Sequence, residues 1–244
     1  MKPERPPGMW GIYKAGGITP AVASIFNRGS AQQMAFIRSV MKEQRKRPLF
    51  EIQLETLQAV VFDLETTGFS PYNGDEIISV GAVAIEGQEV GRQETYYSTV
   101  NPKRRIPEEV VALTGLTDEE VSAAPDLLKV LHDFMEFIGS RVLIVHGSGH
   151  DKNFLSAALW KTSRTQLNHR ILDTMMVDRL LYPKRQNRSL DVLLDMYGVH
   201  IDKRHHALDD SVATAEVWSK QLVELLDGDI TTLGDLYTKL SVFS

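Results

Sequence analysis

VVFDLETTGF, residues 60–69, sets two acids inside a run of strand formers. Val60, Val61, Phe62 and Leu64 belong in a buried strand, yet Asp63 and Glu65 stand among them. Side chains two apart on a strand point to one face. The two carboxylates therefore point together, at the strand's C-terminal end, before Thr66-Thr67-Gly68 turns the chain. Adjacent ionised carboxylates repel, and burial sharpens the repulsion. No Lys or Arg lies within the segment, so a hard divalent cation with oxygen ligands is the natural counter-charge. The alternative is a surface strand end whose carboxylates face water.

Outward from this stretch the pattern alternates between strands and helices. Residues 57–64 read as a strand, and 76–86 and 91–100 as two more, joined through Gly87 and Gln88. Residues 125–139 suit a helix, with Leu127, Leu128, Leu131, Phe134, Met135 and Ile138 at core spacing. RVLIVHG, 141–147, is a short buried strand, and helices follow at about 150–161, 173–182, 189–196, 207–226 and 230–241. Three strands first and alternation later predict an α/β fold, a mixed sheet covered by helices. Upstream, residues 1–29 are rich in Gly and Pro and read as a loop-like lead-in. Ser30 with Gln33 resembles a capping box. Met34, Ile37, Val40 and Met41 then form an apolar stripe that runs into Lys42, Arg45, Lys46 and Arg47 before Pro48. The spacing predicts one amphipathic helix over 30–47, packed on the body or on a partner.

Two further places carry isolated acids. In VHGSGHDKNFL, 145–155, a strand ends, a Gly-Ser-Gly turn follows, and Asp151 opens a helix, where an acid is also a favoured cap. In RHHALDDSVATAEVW, 204–218, His205 and His206 precede a helix whose first turn holds Asp209 and Asp210, where acids suit the helix dipole anyway. Each is weak alone. In order, and together with the connector YYSTVNPKRRIPEEVVALTGLTDEEV at 96–121, they resemble the DEDDh, or DnaQ-like, 3′–5′ exonucleases over roughly 57–226. That family includes the proofreading epsilon subunit of bacterial DNA polymerase III and RNase T. FDLETTG resembles its first motif, VHGSGHDKNFL its second and HHALDDSVATAEV its third.

The resemblance implies an RNase H-like fold with a mixed, roughly five-stranded sheet. It implies cleavage of a terminal phosphodiester with two divalent ions, Mg2+ or Mn2+, releasing nucleoside 5′-monophosphates from a 3′ end. Asp63, Glu65, Asp151 and Asp210 match the metal-binding acids. His205, five before Asp210, matches the catalytic histidine and general base, which leaves His206 and Asp209 as neighbours. Thr66 and Leu116 match contacts to the terminal nucleotide. The sequence departs from the family where the second motif usually reads His-Asn-Ala before Phe-Asp; here Gly147, Ser148 and His150 stand instead. Ser79 stands where many members have Glu.

DNA 3′ ends are the expected partner. The same chemistry on RNA, as in RNase T, and a non-catalytic nucleic-acid-binding or assembly module are the alternatives. No polymerase domain fits within 244 residues beside these motifs, so proofreading would be done in trans, with a polymerase or helicase as partner. Composition sets outer bounds. The chain has no cysteine, which excludes disulfides and thiolate metal sites. No apolar run approaches the roughly 20 residues that span a bilayer, and the start does not resemble a signal peptide, so a cytoplasmic protein without membrane contact is expected. Charge is uneven: residues 1–48 carry a net +7 and residues 49–244 a net −12. That division marks a basic N-terminal extension, 1–48, on an exonuclease-like domain, 49–244, and suggests an arm that meets a polyanion.

Overall fold

The structure is a computed structural model and describes residues 20–44 and 50–243. In chain order the elements are α1 (Pro20–Gln44), β1 (Gln58–Thr66), β2 (Ile77–Glu86), β3 (Glu89–Thr99), α2 (Glu108–Thr114), α3 (Asp118–Ser122) and α4 (Leu127–Ile138). There follow β4 (Val142–Val145), α5 (Gly149–Ser163), β5 (Ile171–Asp173), α6 (Thr174–Leu181), α7 (Leu190–Tyr197), α8 (Ala207–Asp227) and α9 (Leu233–Leu240). The strands form one sheet in the order β3-β2-β1-β4-β5. β2 is antiparallel to β1 and β3, while β1, β4 and β5 run parallel. This is the mixed sheet expected from the strand and helix pattern, in the five-stranded, RNase H-like arrangement that the family resemblance implies.

The period of two in β1 decides which layer covers which face. Val60, Phe62 and Leu64 enter one core with Phe134, Leu131 and Ile138 of α4 and Phe154 and Leu155 of α5. Ala59 and Val61 enter another with Trp218, Leu222 and Leu225 of α8 and Leu233 and Leu236 of α9. Asp63 and Glu65 continue the second face past its last apolar residue. They lie at the C-terminal end of the parallel strands, where open α/β sheets bind ligands.

Helix α1 starts ten residues before the expected Ser30, so residues 20–29 are helical and Ser30 lies inside the helix rather than capping it. An anchored turn lets a helix propagate cheaply, and the anchor is strong. Ile37 and Met41 are fully buried in the α4 and α5 core. Arg38 Nε donates to the Ser163 carbonyl at 2.7 Å, and Gln44 Nε2 to the Gly139 carbonyl at 3.2 Å. Gly29, a roughly 1 kcal/mol liability in a helix, is tolerated upstream of it. Arg45, Lys46, Arg47 and Pro48 fall outside the described residues, as does the lead-in before Pro20. Among the described residues no helix is long and apolar enough to cross a membrane.

Candidate active site

Gly81 explains how the third motif reaches the first. It pairs with Asp63 in the β1–β2 register. A Cβ at Gly81 would stand 2.1 Å from the Ala207 carbonyl carbon, so only a glycine lets the start of α8 lie directly on the sheet. The Ser211 hydroxyl holds it there, donating to the Gly81 carbonyl at 2.9 Å. Asp210, one turn into α8 and 4% exposed, is thereby delivered beside β1. The register shifts between Glu65 and Thr66, a bulge that re-aims the strand end.

Asp151 arrives from the other direction. The Asp173 carboxylate, at the end of β5, accepts from the Gly147 and Ser148 backbone amides at 2.9 and 2.7 Å. This pins the turn after β4, where Gly147 takes a left-handed φ of 73°. Asp151 then accepts from the Leu64 amide at 3.2 Å, which seats its carboxylate beside the two acids of β1. His205 also has a left-handed φ, 58°, a conformation that costs energy outside glycine and often marks a working site. Its amide donates to Asp210 Oδ2 at 3.0 Å. Ligand atoms of Glu65, His205 and Asp210 all lie within 4.8 Å of one another. His206 turns away: it stacks on Tyr97 with ring centroids 4.7 Å apart and meets Asp209 at 3.1 Å.

A cavity of about 330 Å3 opens here, walled by Asp63, Glu65, Asp191, Arg204, His205 and Asp210. Asp151, Thr66 and Leu116 lie outside that wall. Thr66 donates to the Gly68 carbonyl at 2.7 Å and stands 3.2 Å from His150 Nε2. Leu116 packs with Ile78, Ile106 and Val121. Its neighbour Gly115 abuts Lys203, whose Nζ would be 3.6 Å from a Cβ placed there, so the connector leans on the loop that carries His205.

The acids strain one another. Burial, then the charges of Asp151, Glu65 and Asp210, hold Asp63 well above the usual carboxylate range, with Arg204 opposing. Burial and Asp210 push Glu65 up to about 7. Burial pushes Asp151 up to about 8, against the Leu64 hydrogen bond and with help from Glu65 and Asp173. One cation in the wall offsets them: Arg204 pairs with Asp210 and donates through Nε to Asp191 at 2.6 Å. Four carboxylates sharing one guanidinium lack positive charge, and their donors are hard oxygens with one imidazole nearby. This set fits a hard divalent cation.

Sequence reasoning missed Arg204, Asp191 and Asp173. Asp191 and Asp173 read as ordinary helix-start acids, and nothing marked Arg204 beyond its place before His205. It also missed β5, whose three residues carry no period, and α2 and α3 inside the connector. There the signal was present: Thr117 and Glu120 form a full capping box.

Comparison with known proteins bears on the family and the fold. Residues 60–218 match the family model for the RNase T-type exonucleases. A DNA polymerase III PolC-type protein of Clostridium perfringens is 36% identical over 182 residues, covering 73% of this chain. An epsilon-like DNA polymerase III subunit of Rhodobacter capsulatus is 34% identical over 194 residues, covering 79% of this chain and 27% of that protein. The chain spans only 12% of the length of the PolC-type relative. Among solved structures, exonuclease X bound to 5′-overhanging duplex DNA superposes with a TM-score of 0.56 at 19% identity, covering 68% of this chain and 92% of that one. A 3′-exonuclease that recognises the histone mRNA stem-loop gives 0.61 at 19%, covering 91% and 79%. Fold, motif order and sequence match coincide, and the chain belongs to the DnaQ-like (DEDDh) exonuclease family.

Proposed function

We propose that the chain is a divalent-metal-dependent 3′–5′ exonuclease that releases nucleoside 5′-monophosphates from DNA 3′ ends. The observation that carries this reading is the convergence of Asp63, Glu65, Asp210 and His205 on one cavity wall, with Asp151 held beside them on the Leu64 amide. Asp63, Glu65, Asp151 and Asp210 would hold the ions. Two such ions supply Lewis-acid stabilisation of the phosphoryl and leaving oxygens. A neutral imidazole nitrogen of His205 takes the proton of the attacking water, a role worth about 10²–10⁴ in rate. The water oxygen bonds to phosphorus, the P–O3′ bond breaks, the leaving 3′ oxygen takes a proton from solvent to become a hydroxyl, and His205 returns its proton to solvent. Thr66 and Leu116, outside the cavity wall, would contact the terminal nucleotide.

DNA is favoured because the relatives above 30% identity are named as DNA polymerase III proteins. They also favour a polymerase as the partner; the charge division of the sequence alone motivates taking residues 49–244 as the catalytic unit and 1–48 as its basic extension. The test is to incubate the pure protein with 5′-labelled DNA and RNA oligomers, single- and double-stranded, in Mg2+, Mn2+ or EDTA. The expected result is a metal-dependent ladder shortening from the 3′ end, strongest on DNA. Cleavage in EDTA, or release of the 5′ label first, overturns the reading.

A further inference from the structure

Three large aromatic side chains lie bare on one side of the catalytic centre. Phe69, Tyr72 and Trp160 are 88%, 75% and 53% exposed. They are not scattered. Phe69 meets the ring of His150 edge-on at 5.7 Å, and His150 meets Phe154 at 4.7 Å. Phe154 then lines a small apolar groove of about 120 Å3 together with Tyr72, Ala157, Ala158, Trp160 and Lys161. His150 adjoins Asp151 and touches Thr66, so this track starts at the candidate active site and runs along α5. Cations accompany it: Arg164 lies over the Trp160 ring at 5.8 Å, and Lys152 is exposed at the near end. The acids beside the groove are already matched, Glu76 with Lys161 at 2.5 Å and Asp75 with Arg104 at 2.9 Å.

We infer that this groove is a stacking track for the unpaired bases of a single-stranded substrate, on the 5′ side of the nucleotide being removed. The inference rests on the nucleic-acid reading of the adjoining site. Exposed aromatic faces flanked by cations take single strands with little sequence preference, because every base has a π-face. Continuity with the site favours the substrate strand over a separate protein partner. Ten residue steps of α5, from His150 to Trp160, span ~15 Å. At ~3.4 Å per stacked base that accommodates about four nucleotides.

The measurement is anisotropy of 5′-labelled oligothymidylates of two to twelve nucleotides on the full chain, in EDTA to prevent cleavage. Affinity should rise by about tenfold or more between two and six nucleotides. Tyr72→Ala with Trp160→Ala should abolish that rise, while Tyr72→Phe and Trp160→Phe keep most of it. Trp160 emission should be quenched by the hexamer and not by the dimer, a signal absent from Trp160→Phe even if the double variant does not fold. A fully paired duplex should gain nothing from the track. The inference is overturned if wild type shows no length step, or if the folded double variant keeps it, as a protein-docking face would. Cleavage polarity is read separately: release from the wrong end would sink the proposed activity while leaving the length step intact.

Discussion

At the scale of single residues, Glu65 has a pKa near 7 where an unfolded chain would have 4.5. Between those values the folded state keeps a proton that the unfolded state has lost, so stability falls as pH rises through the interval. Asp151, pushed to about 8, extends the window upward. Metal-free protein should therefore lose melting temperature from pH 5 to pH 8, and Mg2+ should restore it mainly above pH 7. Glu65→Gln should raise the metal-free melting temperature at pH 8, since its charge costs on the order of 3 kcal/mol, or about 10 °C for a chain of this size. The same change should remove most cleavage; a metal-free melting curve that does not move with pH would show that the carboxylates do not share a buried charge problem. Arg204 partly relieves that problem by pairing with Asp210. Arg204→Gln should thus tighten divalent binding several-fold by calorimetry, and weaker or equal binding would mean the guanidinium serves another end. The two histidines are separable in the same way. His205→Ala should cost about 10² or more in rate, and His206→Ala far less, because His206 is committed to Tyr97 and Asp209. Similar losses in both would overturn that division of roles.

At the scale of elements, the site depends on how closely α8 approaches β2. Gly81→Ala would place a methyl 2.1 Å from the Ala207 carbonyl carbon, and the helix start would have to retreat by roughly 1 Å or more. Displacement of that size can cost about 10² in rate, with some 1–3 kcal/mol of stability lost besides. Gly149→Ala, which meets nothing within 4 Å, is the matched control; equal activity in both variants would show that α8 can slide without harm. Gly81 itself was invisible as a point of close approach, since in EIISVGAVAIE it looks like a small residue in a strand. What the sequence did make legible was everything with a sustained period: β1, β2, β3, β4 and helices α4 to α9, each within a few residues. The carboxylate positions were legible because acids in buried strands need a reason. The short pieces were not. β5 has too few residues to show alternation, and α1's first ten residues are helical because a buried turn downstream anchors them, which local propensity does not record.

At the scale of the whole molecule, a body of net −12 must work beside a polyanion, and the charge of residues 1–48, net +7, offers one remedy. Two properties of that extension can be separated. Ile37 and Met41 are fully buried, and the Met41 carbonyl accepts from Asn168 at 2.9 Å, so α1 is part of the packed body. Burying those two side chains alone contributes about 1.5–3 kcal/mol each. A chain beginning at Leu49 should melt roughly 10 °C lower, at about 2–4 °C per kcal/mol for this length. The basic run Arg45-Lys46-Arg47 is a different matter, since it follows the packed turn. Replacing all three by Gln in the full chain should leave the melting temperature almost unchanged. If the run meets the substrate backbone, every phosphate it neutralises steepens the log–log salt dependence of single-strand binding by about 0.7, so the triple variant should show a slope shallower by up to about 2. A lower melting temperature in the truncated chain, with an unaltered slope in the triple variant, would leave α1 as packing alone and end the role of that run as a nucleic-acid arm.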